Sequence, residues 1–145
     1  MITTEKVGRR IRIRNHVDER GGLAFLEDDQ DVGFPIRRLY YLYGNAENRK
    51  RGAHAHKRLK QCMLALAGRV TVRLDNGRTS EEFHLNNPVD GLLVAPMMWR
   101  DIYDFSSDAV VLVVASETYD AEDYIHDYEK FRQEVLRTEQ ESKGL

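Results

Sequence analysis

Cysteine occurs once in the 145 residues, at Cys62, so no disulfide framework and no thiolate cluster for a structural zinc can be assembled. A chain with that usage needs no oxidising compartment, and a cytoplasmic location is expected. Long apolar runs are also missing. The opening segment, Met1 to Lys6, lacks a stretch of signal-peptide length, and nothing approaches the roughly 20 apolar residues of a membrane span. An excess of positive charge is absent as well: 22 Lys and Arg stand against 24 Asp and Glu, a formal charge of -2. No global basic field therefore points to nucleic acid or an anionic membrane. There is no internal repeat and no low-complexity linker.

What remains is a composition that can fill a core, 41% apolar with 9% aromatic residues, at a length suited to a single domain over 1–145. From Val7 to about Val114 apolar residues alternate or come in short runs broken by Gly, Asn, Asp and Pro, which favours strands. Val70, Val72 and Leu74 alternate with polar residues and lead into Asp75-Asn76-Gly77, a hairpin turn in which Asn-Gly supplies positive φ. Further strands are expected at Ile36 to Tyr43, Cys62 to Ala67 and Leu92 to Ala95. The continuous run Ala109 to Ala115 suits a strand covered on both faces. Helical period emerges late: Asp120 can cap a helix over about 121–137, with Tyr124, Tyr128, Phe131 and Val135 as one apolar stripe and a frayed tail from Thr138 to Leu145. Many strands followed by one helix predict an all-β, antiparallel sandwich or barrel with a C-terminal α-helix.

The most informative stretch is Arg51-Gly52-Ala53-His54-Ala55-His56-Lys57. Residues two apart on a strand share a face, so both imidazoles are expected on one side. Their surroundings resemble the cupin signature, in which His-x-His is followed at fixed spacing by a Glu and then a Gly. Here Gln61 takes the place of the Glu, with Gly68 beyond it, and the segment after Pro96 carries Trp99 and Arg100 without a His. Two usual ligands are missing and Arg100 adds positive charge, so no bound metal and no cofactor is expected. Neutral imidazoles are suited to taking and returning a proton. Arg37, Arg38, Arg51, Lys57 and Arg100 are candidates for holding phosphate or an enolate oxygen; strand alternation lets only one of Arg37 and Arg38 face the site. Tyr40, Tyr41, Tyr43, Trp99 and Tyr103 are candidates for stacking or hydrogen bonding. Cys62 reads as a buried, inert thiol, and His16, His84 and His126 as incidental.

Taken together, RRLYYLYG, RGAHAHKRLKQ and VAPMMWRDIYDFSSDAVVLVVASETYDAEDYIHDY resemble the sugar nucleotide 3,4-ketoisomerases, over about Asp18 to Phe131. That resemblance implies a homodimeric cupin or jelly-roll enzyme, metal-independent, acting on dTDP-4-keto-6-deoxy-D-glucose in deoxyamino-sugar biosynthesis. It implies His54 as base and His56 as its partner, with Arg51 and Arg38 or Arg37 toward the nucleotide phosphates or sugar, beside which Lys57 stays a candidate from its place in the cationic cluster. Tyr41 or Tyr43 is implied to line the sugar pocket, and Tyr41, Tyr43, Trp99, Tyr103, Arg100 and Arg20 complete the candidate binding set. Arg100 matches members that give the gluco product and Arg20 those that give the galacto product, so the configuration at carbon 4 stays open. Competing readings are a nucleotide-sugar 3,5-epimerase, a non-catalytic sugar-binding cupin and a metal-dependent dioxygenase.

Overall fold

The computed structural model describes residues 7–46 and 48–143, so the reading of Met1 to Lys6 and the last two residues of the tail lie outside the described residues. Two five-stranded antiparallel sheets face each other. The first has the order β1 (Arg9–Arg12), β9 (Asp90–Val94), β6 (Gln61–Ala67), β11 (Val110–Ala115), β4 (Arg38–Leu42). The second runs β12 (Tyr124–Ile125), β5 (Arg51–His56), β10 (Trp99–Tyr103), β7 (Val70–Asp75), β8 (Ser80–Leu85). A separate hairpin pairs β2 (Arg14–Asp18) with β3 (Gly21–Phe25), and a short helix, α1 (Asp28–Val32), follows it. This is the antiparallel sandwich that the strand spacing predicts.

Inward-facing residues of both sheets, among them Met63, Val72, Leu74, Leu92, Val111 and Val113, make one core. Strand β11 lies between β6 and β4, and its outward residue Val114 is covered by a second cluster with Ile13, Val32, Phe34 and Cys62. A strand buried on both faces reads as an unbroken apolar run for this reason. The hairpin after Asp75 turns with Asn76 N–H donating to Thr79 O at 3.1 Å and Gly77 at φ 93°, and it is Gly77 that takes the left-handed conformation.

The C-terminal helix differs from expectation at both ends. Residues Ala121–Asp123 form one 3-10 turn capped by Asp120, Tyr124–Ile125 is the edge strand β12, and α2 spans Tyr128–Lys143. Asp127 begins it, its side chain accepting from Lys130 N–H at 3.0 Å. The helix continues through Thr138 because Arg137 pairs with Glu134 and Glu141, one turn away on either side. Phe131 docks it against Trp99, Ala55 and Ile125 on the outer face of the second sheet.

Candidate active site

Strand β5 carries a bulge at the point where chemistry is expected. Arg100 pairs with His54 and Asp101 with Gly52, so Ala53 has no partner on β10. Gly52 (φ 87°) and Ala53 (φ 54°) are both left-handed. A side chain at Gly52 would place Cβ 2.8 Å from the carbonyl oxygen of Arg100, so only glycine fits there. The bulge turns the Gly52 carbonyl onto the following imidazole, with His54 Nδ1 at 2.9 Å from it. A carbonyl oxygen only accepts, so Nδ1 is the protonated nitrogen of the neutral ring and Nε2 keeps its lone pair.

His54 lines a cavity of about 350 Å³ between the sheets, together with Arg51 and Gly52 of the same strand. Strand β4 supplies Arg38, Tyr40 and Leu42, and β10 supplies Arg100 and Ile102. The alternation of β4 therefore selects Arg38 over Arg37. Tyr40 and Arg100 are tied together through Gln61: its amide nitrogen donates to the Tyr40 hydroxyl at 2.9 Å, and its amide oxygen accepts from Arg100 Nη1. Arg100 Nη2 donates to Met98 O at 2.8 Å, and burial of the whole guanidinium pulls its pKa down to about 10.

The imidazoles of His54 and His56 do share a face, meeting edge to face with centroids 4.9 Å apart. His56, however, is 1% exposed and sits behind the cavity wall. Its Nδ1 faces the carboxylate of buried Asp123 at 3.1 Å, and Tyr124 covers both rings at centroid distances of 5.0 and 4.3 Å. Burial, then the positive charge of Arg100, hold His54 down to about 4; the same two causes, joined by His54, hold His56 well below the ordinary imidazole range against the opposing pull of Asp123. Both rings are neutral at physiological pH, as a general base requires.

A metal of the kind common on this fold does not fit these groups. The Gln61 oxygen is committed to Arg100, a buried cation stands in the same cavity, and among the described residues no three His, Cys, Asp or Glu side chains converge. Cys62 is buried in β6 and its thiol is pushed up to about 12 by burial, which makes it inert.

Several expected site residues lie elsewhere. Tyr41 projects from the opposite face of β4, 58% exposed, because the strand alternation that turns Tyr40 inward turns it outward, and Tyr43, just past the end of that strand, is 70% exposed. Trp99 points away from Arg100 on β10 and packs on Tyr128 and Phe131 of the helix. Tyr103, on that same outward face, hydrogen-bonds Glu82, and the Lys57 side chain is exposed outside the cavity. Arg20 follows β2 in the hairpin turn and pairs with Asp18. Conversely, Tyr124 and His126 belong at the site: Tyr124 lines the cavity, and His126 stacks on it at 5.3 Å and lies 6.1 Å from His54. Asp123, beside them in the chain, is the partner of His56. The alternation Tyr124-Ile125-His126 beside an acidic turn was the available signal, masked by the helical spacing of Tyr124 and Tyr128.

A jelly-roll cavity with a neutral imidazole, flanked by guanidinium groups and, among the described residues, without a cluster of metal-ligating side chains, places this protein in the cupin class. The model of the FdtA (WxcM-like, C-terminal) family matches residues 7–136, and the chain belongs to that family. It is 38% identical over 134 residues to the TDP-4-oxo-6-deoxy-alpha-D-glucose-3,4-oxoisomerase of Aneurinibacillus thermoaerophilus, covering 92% of this chain and 96% of the relative. QdtA, a sugar 3,4-ketoisomerase from Thermoanaerobacterium thermosaccharolyticum solved with TDP, superposes with a TM-score of 0.88 at 35% identity, over 91% of this chain and 96% of its own. The WlaRB TDP-quinovose 3,4-ketoisomerase of Campylobacter jejuni gives 0.85 at 39%, over 89% and 99%.

Proposed function

We propose that this protein isomerises dTDP-4-keto-6-deoxy-D-glucose, moving the carbonyl from carbon 4 to carbon 3 of the hexose. The observation that carries this reading is His54: Gly52 O holds its Nδ1 proton, which leaves the Nε2 lone pair of a cavity-lining ring as the base. The ketone at carbon 4 acidifies the hydrogen on carbon 3, and Nε2 removes it. Negative charge then spreads over the two oxygens of an enediolate, beside the fixed charge of Arg100. A proton is returned to carbon 4, and the proton of the carbon 3 hydroxyl passes to the carbon 4 oxygen, so the atoms balance without any redox partner. Arg38 and Arg51, from strands of the two opposed sheets, line the cavity and are suited to the diphosphate.

The reaction serves deoxyamino-sugar synthesis in the cytoplasm, and the active species is a homodimer. Support for the dimer is the apolar outer face carrying Leu39, Tyr41, Tyr43 and Leu66, all exposed, together with Val17 and Leu23 on the β2–β3 hairpin. Among the described residues no helix is long and apolar enough to cross a membrane. The test is to mix purified protein with substrate labelled with ¹³C at carbon 4. Loss of the carbonyl signal at that carbon, with a new ketone at carbon 3, is the expected result; a carbonyl that stays at carbon 4 while the sugar binds would overturn it.

A further inference from the structure

We propose that Asp123 is a positioning residue that fixes the tautomer of His56, setting its proton on Nδ1 and leaving Nε2 as a bare, buried acceptor next to His54. The inference rests on the isomerase reading for its kinetic consequence, but not for the tautomer itself. Asp123 is 3% exposed, and both its oxygens already accept backbone donors: Oδ1 from Arg58 N–H at 2.8 Å, Oδ2 from Leu59 N–H at 3.3 Å. His56 Nδ1 lies 3.1 Å from that same Oδ2. An acceptor-only carboxylate admits one arrangement, in which Nδ1 carries the hydrogen. Lys57 N–H donating to the Asp123 main-chain oxygen at 2.9 Å locks the same segment from the other side.

His56 Nε2 is then buried without a hydrogen-bond partner among the described residues. Leaving a buried acceptor unmet costs about 1–3 kcal/mol, and such a group marks a place where function outweighs stability. Edge to face with His54 and shielded by Tyr124, it lies inside the basic site without lining the cavity. A lone pair there favours a donor or a positively charged ring nearby, which is the state His54 enters once it holds the substrate proton. The opposite tautomer would direct an N–H into that space and oppose it.

Asp123→Asn separates this role from simple packing. The closer backbone donor, Arg58 N–H, retains the amide oxygen, so the amide nitrogen is turned to His56 Nδ1 and drives the ring proton to Nε2. Two-bond ¹H–¹⁵N spectra of ¹⁵N-histidine protein, without substrate, should show wild-type His56 as the Nδ1–H tautomer and D123N as Nε2–H. By analogy with other second-layer partners of reactive histidines, kcat should fall about 10- to 100-fold with KM changed less than about threefold. Asp123→Glu, which restores the carboxylate, should recover the wild-type tautomer and part of kcat. A wild-type Nε2–H signal overturns the inference, whether or not D123N folds; so does a D123N protein with the flipped tautomer and kcat within twofold of wild type. A wild-type protein that shows Nδ1–H but does not isomerise the sugar removes the functional reading alone.

Discussion

His54 and His56 stand edge to face at 4.9 Å, yet one ring lines the cavity and the other is sealed behind it. The two are therefore unequal. His54→Asn should cost at least about 10³-fold in kcat, the upper part of what a positioned acid–base group contributes, while TDP affinity measured by calorimetry changes little. His56→Asn should cost about 10- to 100-fold, in line with a residue acting through its neighbour. Equal losses in steady-state assays of the two variants would contradict this division.

Gly52 offers a sharper geometric test. Its missing side chain is replaced in space by the main-chain oxygen of Arg100, at 2.8 Å from where Cβ would lie, and its φ of 87° is left-handed. Gly52→Ala should destabilise the protein by about 1–3 kcal/mol, read as a lowered midpoint in urea, and reduce activity at least tenfold, because the bulge that aims His54 must open. An alanine variant with wild-type midpoint and turnover would show that the bulge does not set the base.

The acid limb of kcat/KM follows from His54, whose pKa is held down to about 4 by burial and by Arg100. As the proposed base, His54 stays unprotonated through pH 5, so activity should decline near pH 4 and not near the free-imidazole value of about 6.5. Stability has its own sign. Between about 6.5 and 4 the unfolded chain binds protons on these two histidines that the folded protein refuses, so stability is full above that window and falls as pH drops through it. Asp31, held at about 2 by Arg14, acts in a separate window below about 4. Thermal melts of wild type and of H54N/H56N between pH 7 and pH 4 should therefore diverge, the double variant losing less.

Gln61 occupies the place where the cupin pattern has a carboxylate ligand, and its amide links Tyr40 to Arg100. Gln61→Glu should leave the protein without a stoichiometric transition metal in elemental analysis, since the new carboxylate pairs with the buried guanidinium. Gln61→Leu should cost about 2–3 kcal/mol by leaving a buried charge short of an acceptor. One metal ion per chain in Q61E would overturn the claim that Arg100 excludes it.

Strand positions and the His pair were legible because they rest on local rules: the alternation at Val70 to Leu74, the Gly77 turn, the apolar run of β11. Tyr124 was not. Its four-residue spacing from Tyr128 imitates a helical stripe, whereas Asp127 starts the helix and Tyr124 belongs to an edge strand paired with His56 across 68 positions of sequence. No local pattern reports such pairing. Arg38 was narrowed to two choices by alternation and decided by the sheet, while the outward facing of Tyr41 was hidden because apolar and aromatic side chains occupy both faces of β4. The roles of Asp123 and Gln61 depend on contacts across the fold, which composition does not encode.

The most direct measurement is to run the reaction in deuterium oxide and locate the label by NMR. Deuterium at carbon 4 of a 3-keto sugar, formed by wild type and abolished in His54→Asn, is the expected result. Label at carbon 5 with the ketone still at carbon 4, or full activity in His54→Asn, would contradict it.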